Sequence, residues 1–287
     1  MFLHLLHKTT FHYEGSARSS FNEVRLRPVD DDVQTCRSFA LRVSPDAVVS
    51  DYPDFHGNTV HYFEIAMDHQ SLVIEAESEV ETVPDAGRMA VPAVSVAELA
   101  ASPEREMHAE FCTDSRYVPL APELWREAQD ALASGRSDVW NDVVRIAGHV
   151  YATIAYRTGA TGIGTMATDA LAIRAGVCQD FAHVTLGLCR CMGIPARYVS
   201  GYFLSGDRRS GETEASHAWV EAFIPGYGWA AYDPTHARPA DERYIRVAVG
   251  RDYADVPPVS GTYRGAKTRE LRVDVEVRQA PAIAARA

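Results

Sequence analysis

The sequence predicts an α+β protein in which an N-terminal antiparallel β domain precedes a domain of helices and strands. Up to about residue 83, apolar and polar residues alternate with a period of two, which is typical of half-buried strands. From residue 104 onward, apolar residues recur at helical intervals, and strand-like runs follow these helices. This change of period along the chain is the observation on which the fold class depends.

The N-terminal domain, residues 1–83, is predicted from alternating segments that are separated by turn-forming residues. The turn signals are EGSARSS, DDD and DFHGN. The alternating segments are TTFHY, FNEVRLRP, TCRSFALRVSP, NTVHYFEI and SLVIEAESEVETV. Residues 84–103 then shift to Pro, Ala, Gly and Ser with little aromatic content, which indicates a linker.

Three helices are predicted in the second domain, residues 104–268. The first begins near Pro122 and ends at Gly135, because proline favours the first helical turn and glycine the end. The second follows an apolar stripe over residues 140–154. The third begins close to Cys178 and ends before Gly193.

Strands are predicted after the third helix. The runs are ARYVSGYFL, HAWVEAF and GWAAYD, and the last two are joined by IPGYG, a turn suited to a hairpin. The segment RELRVDVEVR alternates cleanly, so residues 269–287 are predicted to form a C-terminal strand with a frayed tail.

Composition excludes several classes of function. The formal net charge is -11 and Lys and Arg do not cluster with aromatic residues, so nucleic acid is not an expected partner. No window approaches eighteen apolar residues, and the start lacks the features of a signal peptide, so we expect a cytoplasmic protein with no membrane partner. The five cysteines, an odd number, are expected to be reduced thiols.

Cys178 is the candidate nucleophile. It lies at the predicted start of a helix, where free N–H groups and the aligned peptide dipoles stabilise a thiolate. The alternative is a cysteine that fills the core as a small apolar residue. Gly176 before it and Gln179-Asp180 after it make apolar burial less natural, but local sequence leaves both interpretations open.

A nucleophilic cysteine needs a histidine base and a group that orients the base. His217 opens one strand of the predicted hairpin, and Asp233 closes the other before Pro234. A tight turn at Gly226-Tyr227 would place Asp233 opposite Val220, on the other face from His217. Contact between the two side chains therefore requires a wider turn or a bulge.

Metal binding and other kinds of catalysis have weaker support in the sequence. Cys189 and Cys191 are separated by about 200° around their helix, so they cannot share a metal ion. His236 could line a cleft, although a solvated turn histidine also fits. No G-x-S-x-G elbow and no EF-hand loop occur, so neither a serine hydrolase nor a calcium site is expected, and no cofactor or metal is predicted.

Several segments together resemble the bacterial transglutaminase-like family. They are GVCQDFAH, GIPARYVSGY, SHAWVEAFIPGYGWAAYDPTH and VAVGRDYADVPPVSGTYRG. The resemblance implies a papain-like core, in which a helix carrying the cysteine packs on an antiparallel sheet carrying the histidine and aspartate. It also implies that Cys178 is the nucleophile, His217 its base and Asp233 the residue that orients the histidine.

The resemblance implies attack on an amide through a thioester acyl-enzyme. If water accepts the acyl group, the protein is a cysteine peptidase or amidase acting on a peptide or small amide, and family members of this bacterial type look more like hydrolases. If a primary amine accepts it, the protein is a transglutaminase. A third alternative is a non-catalytic peptide-binding protein. The oligomeric state is not predicted.

Overall fold

The computed structural model describes residues 1–84, 90–205, 216–265 and 267–280. Over these residues the chain forms a seven-stranded N-terminal sheet, a five-stranded core sheet and a group of helices that packs on the core sheet. This arrangement confirms the predicted α+β class and the N-terminal antiparallel β domain.

The longest strand of the N-terminal sheet bulges where the sequence predicts a turn. The strands are β1 (Phe2–Val24), β2 (Gln34–Ser44), β3 (Val49–Pro53), β4 (Thr59–Ile65) and β5 (His69–Thr82), in the spatial order β2-β5-β1-β4-β3. Between His12 and Ala17, β1 shifts register against β5, and in and after this segment Gly15 and Ser19 adopt positive φ angles of 102° and 49°. Extra residues in one strand bend it without ending it.

The last two strands of the chain return to the N-terminal sheet. They are β13 (Val259–Gly265) and β14 (Thr268–Gln279), and both pair with β1. The strand predicted from RELRVDVEVR is therefore confirmed as β14. β13 lies within the range predicted for the second domain, yet it extends the sheet of the first. The predicted tail beyond residue 280 lies outside the described residues, as do residues 85–89 of the predicted linker.

The predicted linker also contains a helix, α1 (Val96–Ala101). The Ser95 hydroxyl accepts a hydrogen bond from the backbone N–H of Glu98, whose carboxylate accepts one from the Ser95 N–H in return. This reciprocal pair satisfies two N–H groups of the first turn, and Leu99 anchors the helix in the core.

The remaining elements build the core and confirm the helices predicted from Pro122 and Cys178. The helices are α2 (Pro103–Met107), a 3₁₀ helix (Ala109–Cys112), α3 (Pro122–Ala131), α4 (Val139–Thr153), α5 (Ala167–Ile173) and α6 (Cys178–Cys191). The core sheet has the order β11-β10-β9-β8-β12. Its strands are β8 (Ala196–Phe203), β9 (His217–Ile224), β10 (Gly228–Asp233), β11 (Arg238–Pro239) and β12 (Tyr244–Gly250). A short parallel pair, β6 (Ala155–Tyr156) and β7 (Ala175–Gly176), leads into α6.

Helix α6 is the centre of the core. Every residue from Asp180 to Arg190 is buried, because the helix packs on β8 and β9 and is covered by α3, α4 and α5. A helix buried on all sides has its position set by its neighbours. The N-terminus of α6, with Cys178, is therefore held beside the core sheet.

Buried polar contacts join the two sheets. The Asn58 side-chain amide donates to the Val249 carbonyl at 2.8 Å, and its oxygen accepts from the Val249 N–H at 2.7 Å. Nearby, Nδ1 of His7 lies 2.7 Å from the Tyr202 hydroxyl. In the part of the chain that the structure describes, no helix has the length and apolar character needed to span a membrane.

Candidate active site

Cys178 is the first residue of α6, and its side chain is partly exposed. The backbone N–H groups of the first helical turn have no intrahelical acceptor, so they favour negative charge at this position. The thiol also interacts with the imidazole of His217 and contributes to raising the pKa of that imidazole. A helix N-terminus and an imidazole partner are the surroundings in which cysteines act as nucleophiles in enzymes.

The other four cysteines lie in different surroundings. All five are free thiols. Burial raises the pKa of the thiols of Cys36, Cys112, Cys189 and Cys191, and for Cys189 the pKa reaches about 12. These thiols are disfavoured as nucleophiles by desolvation, whereas Cys178 has an imidazole partner.

Asp180 fixes the backbone that carries Cys178. One of its carboxylate oxygens, Oδ2, accepts the N–H of Val177 at 2.8 Å and the hydroxyl of Thr161 at 2.6 Å. A β-carbon at Gly176 would lie only 2.5 Å from the same oxygen. The glycine thus allows the close approach of the carboxylate, which ties the turn before the nucleophile to the loop that contains Thr161.

The β9–β10 hairpin brings His217 and Asp233 to one face of the core sheet. Ile224 pairs with Gly228, so the loop has three residues, one more than a tight turn at Gly226-Tyr227. The pairing continues to Tyr232 and Val220, which places Asp233 level with Trp219. Trp219 is two residues from His217, and side chains two apart on a strand share a face. The wider turn that the contact requires is therefore present.

His217 and Asp233 form a buried ion pair. His217 Nε2 lies 2.7 Å from Asp233 Oδ2. Burial by itself lowers the pKa of His217, but the hydrogen bond to Asp233 and the interaction with Cys178 outweigh it and raise the pKa to about 10. Likewise, burial raises the pKa of Asp233, whereas the hydrogen bonds from His217 and His236 lower it well below its usual range. Since Nε2 is bonded to Asp233, Nδ1 is the ring nitrogen left to face the thiol.

Asp233 has further partners. Oδ2 also lies 2.6 Å from Nδ1 of His236 and accepts the hydroxyl of Tyr244 at 2.8 Å. Oδ1 accepts the backbone N–H groups of Thr235 and His236. The carboxylate is completely buried, and these donors compensate for the loss of its hydration.

The structure brings the three predicted residues together in the order Cys178, His217, Asp233. The contact of Tyr244, which lies in β12, with Asp233 carries no local signal in the sequence and was not predicted. For His236 the sequence allowed either a residue that lines a cleft or a solvated turn histidine, and its contact with Asp233 was not predicted. The short spacing between Asp233 and His236, three residues within DPTH, was a usable signal for their contact.

Comparisons with known proteins agree with this architecture. Residues 3–81 match the bacterial transglutaminase-like N-terminal region, and residues 126–234 match the transglutaminase-like superfamily. A crystal structure of a candidate cysteine protease from Cytophaga hutchinsonii superposes with a TM-score of 0.77 at 22% identity, over 99% of this chain and 92% of that one. This likeness confirms the predicted papain-like transglutaminase core with its N-terminal β domain.

Relatives by sequence identify the family. A protein from Mycobacterium leprae is 35% identical over 278 residues, which cover 96% of this chain and 98% of the relative. A protein-glutamine gamma-glutamyltransferase from Pseudomonas aeruginosa is 33% identical over 124 residues, 38% of this chain and 17% of that protein. The chain therefore belongs to the transglutaminase-like superfamily.

Proposed function

We propose that the protein is a thiol-dependent amide-bond hydrolase, a cysteine peptidase or amidase, with Cys178, His217 and Asp233 as its catalytic triad. The observation that carries the proposal is the series from a thiol at a helix N-terminus, through the imidazole with which it interacts, to a buried carboxylate that is hydrogen-bonded to that imidazole. This combination supplies an activated nucleophile, a base and a group that orients the base.

In the acylation step, the Cys178 sulfur attacks the carbonyl carbon of the amide. Its proton is held on His217, and Asp233 stabilises the resulting imidazolium. The backbone N–H of Cys178 faces the negative charge that develops on the carbonyl oxygen. Collapse of the tetrahedral intermediate breaks the C–N bond, His217 returns the proton to the departing amine, and the acyl group remains as a thioester.

In the deacylation step, a water molecule attacks the thioester carbonyl while His217 takes one of its protons. The C–S bond then breaks, a carboxylic acid leaves, and the thiol is restored. The partly exposed thiol and the exposed edge of His236 support access of water to this end of the site. We expect a peptide or a small amide as substrate and the cytoplasm as the location of the reaction.

The second candidate is a protein-glutamine gamma-glutamyltransferase, in which a primary amine replaces water in the deacylation step. The similarity to the transferase of Pseudomonas aeruginosa favours it. Both reactions share the same thioester, so the acceptor alone distinguishes them.

The proposal is tested by incubating the protein with a peptide library, with and without a small primary amine, and analysing the products by mass spectrometry. Cys178→Ala should abolish all turnover, whereas Cys191→Ala, which removes another free thiol of the same helix, should retain it. Hydrolysed products without amine adducts support the hydrolase. Aminated products support the transferase. Turnover that survives Cys178→Ala excludes both, and peptide binding without turnover supports a binding protein.

A further inference from the structure

We propose that the end of the triad remote from Cys178 is a binding site for a divalent cation of the zinc type, held by His217, Asp233 and His236, and that the bound ion switches off the base. Binding of the ion does not depend on the proposed function. Only its effect on catalysis rests on that function.

The three donor atoms already converge. Asp233 Oδ2 lies 2.7 Å from His217 Nε2 and 2.6 Å from His236 Nδ1. All three atoms lie within 4.8 Å of one another. Tetrahedral ligands with metal bonds of about 2.0–2.1 Å are roughly 3.3 Å apart. A small outward movement of the two imidazoles from the carboxylate would therefore admit an ion.

The donor set suits zinc. Two imidazoles and one carboxylate form a three-ligand site of the open kind, which leaves a fourth position for water. The side chain of His236 is 43% exposed, whereas that of Asp233 is fully buried. An ion can thus enter from solvent at His236 and reach the carboxylate.

Neighbouring hydrogen-bond donors already orient the Asp233 carboxylate. Oδ1 of Asp233 accepts the N–H of Thr235 at 2.8 Å and that of His236 at 3.3 Å. The hydroxyl of Tyr244 donates to Oδ2 at 2.8 Å. Hydrogen bonds of this kind fix the direction of a metal-binding oxygen and contribute to affinity. They would remain in place when the ion replaces the two imidazole hydrogen bonds.

The ion would disable His217, the proposed base, because it changes which ring nitrogen of His217 carries a proton. Metal binding displaces the protons on His217 Nε2 and His236 Nδ1 to solvent. His217 then keeps its remaining proton on Nδ1, the nitrogen that faces Cys178. With the metal on one nitrogen and a proton on the other, the imidazole is neutral, and loss of that last proton would leave a metal-bound imidazolate. His217 could then no longer return its proton to the departing amine or take one from the attacking water.

The test is calorimetric titration of the intact protein with Zn²⁺. The wild type should bind one ion at this site, and His236→Ala should weaken that binding at least about tenfold. The matched control is His149→Ala. His149 also lies 2.6 Å from a carboxylate, that of Glu127, but this carboxylate is shared with Arg174 instead of a second imidazole. His149→Ala and Cys178→Ala should bind the ion as the wild type does.

Equal zinc affinity of His236→Ala and the wild type would overturn the proposal, as would a wild type that binds no zinc. Loss of binding in Cys178→Ala alone would place the ion on the thiol and would also overturn it. Release of the amine product from a peptide substrate then reports the effect on the triad. Zinc should slow it in the wild type and much less in His236→Ala. Because calorimetry requires no turnover, it decides the site even if no peptide proves to be a substrate.

Discussion

His217 and Asp233 meet across a hairpin, with 2.7 Å between Nε2 and Oδ2, because the loop between their strands has three residues. A loop shorter by one residue would turn Asp233 to the opposite face of the sheet. The contact that orients the proposed base thus depends on the length of a turn that neither residue occupies.

Asp233→Asn should lower both turnover and the rate of Cys178 alkylation by at least about 100-fold, because an amide neither stabilises the imidazolium nor holds the required tautomer. The measurement is the alkylation rate followed by mass spectrometry. Asp274→Asn, which alters a partly exposed carboxylate of β14, is the control and should react at the wild-type rate. Unchanged alkylation in Asp233→Asn would contradict the role of Asp233.

The pH dependence of stability should reveal the ion pair. The pKa of His217 is raised from 6.5 to about 10, so the folded protein binds this proton more tightly than the unfolded chain. Its contribution to the free energy of unfolding is fully present below pH 6.5 and is lost as the pH rises through about 10. Urea unfolding over this range should show the loss in the wild type and a smaller one in His217→Gln. Equal pH dependence of the two proteins would refute this expectation.

Gly176→Ala should destabilise the protein and reduce the reactivity of Cys178. The new methyl group would lie 2.5 Å from the Asp180 carboxylate that caps the helix, and such overpacking costs about 1–3 kcal/mol. Gly148→Ala is the matched control, since a β-carbon there meets no atom within 4 Å among the described residues. This change within helix α4 should stabilise by about 0.5–1 kcal/mol. Thermal unfolding and alkylation rates measure both effects, and equal behaviour of the two variants would argue against the close fit at Gly176.

Glu221→Ala should destabilise the core sheet by about 3–5 kcal/mol, because it leaves the largely buried Arg197 without its carboxylate partner and removes one of the two carboxylates that pair with Arg246. The buried Glu221 carboxylate accepts from Arg197 at 2.7 Å and from Arg246 at 2.5 Å. Arg37→Ala removes a surface ion pair with Glu81 and should lower the free energy of unfolding by less than about 1 kcal/mol. Chemical denaturation compares the two variants, and similar losses of stability would show that the buried network is dispensable.

Structural features that depend on residues close together in the sequence were predicted from the sequence. The helix that starts at Cys178 follows from apolar spacing and its stop at Gly193, and strand β14 follows from strict alternation. Both patterns reflect the regular spacing of side chains within a single helix or strand. By contrast, residues 14–20 carry turn-forming residues but stay within β1, because pairing with long neighbouring strands overrides local preference.

The sequence by itself determined which residues could carry the chemistry: a cysteine at a helix start, and a histidine and an aspartate at strand ends. Only the tertiary structure decided that they meet, through the register of the β9–β10 hairpin, and that Tyr244 and His236 share the same carboxylate. The physical reason is that side-chain periodicity is a local property of the chain. Contacts between strands depend instead on loop length and on packing around the buried helix α6, and both are set by the whole fold.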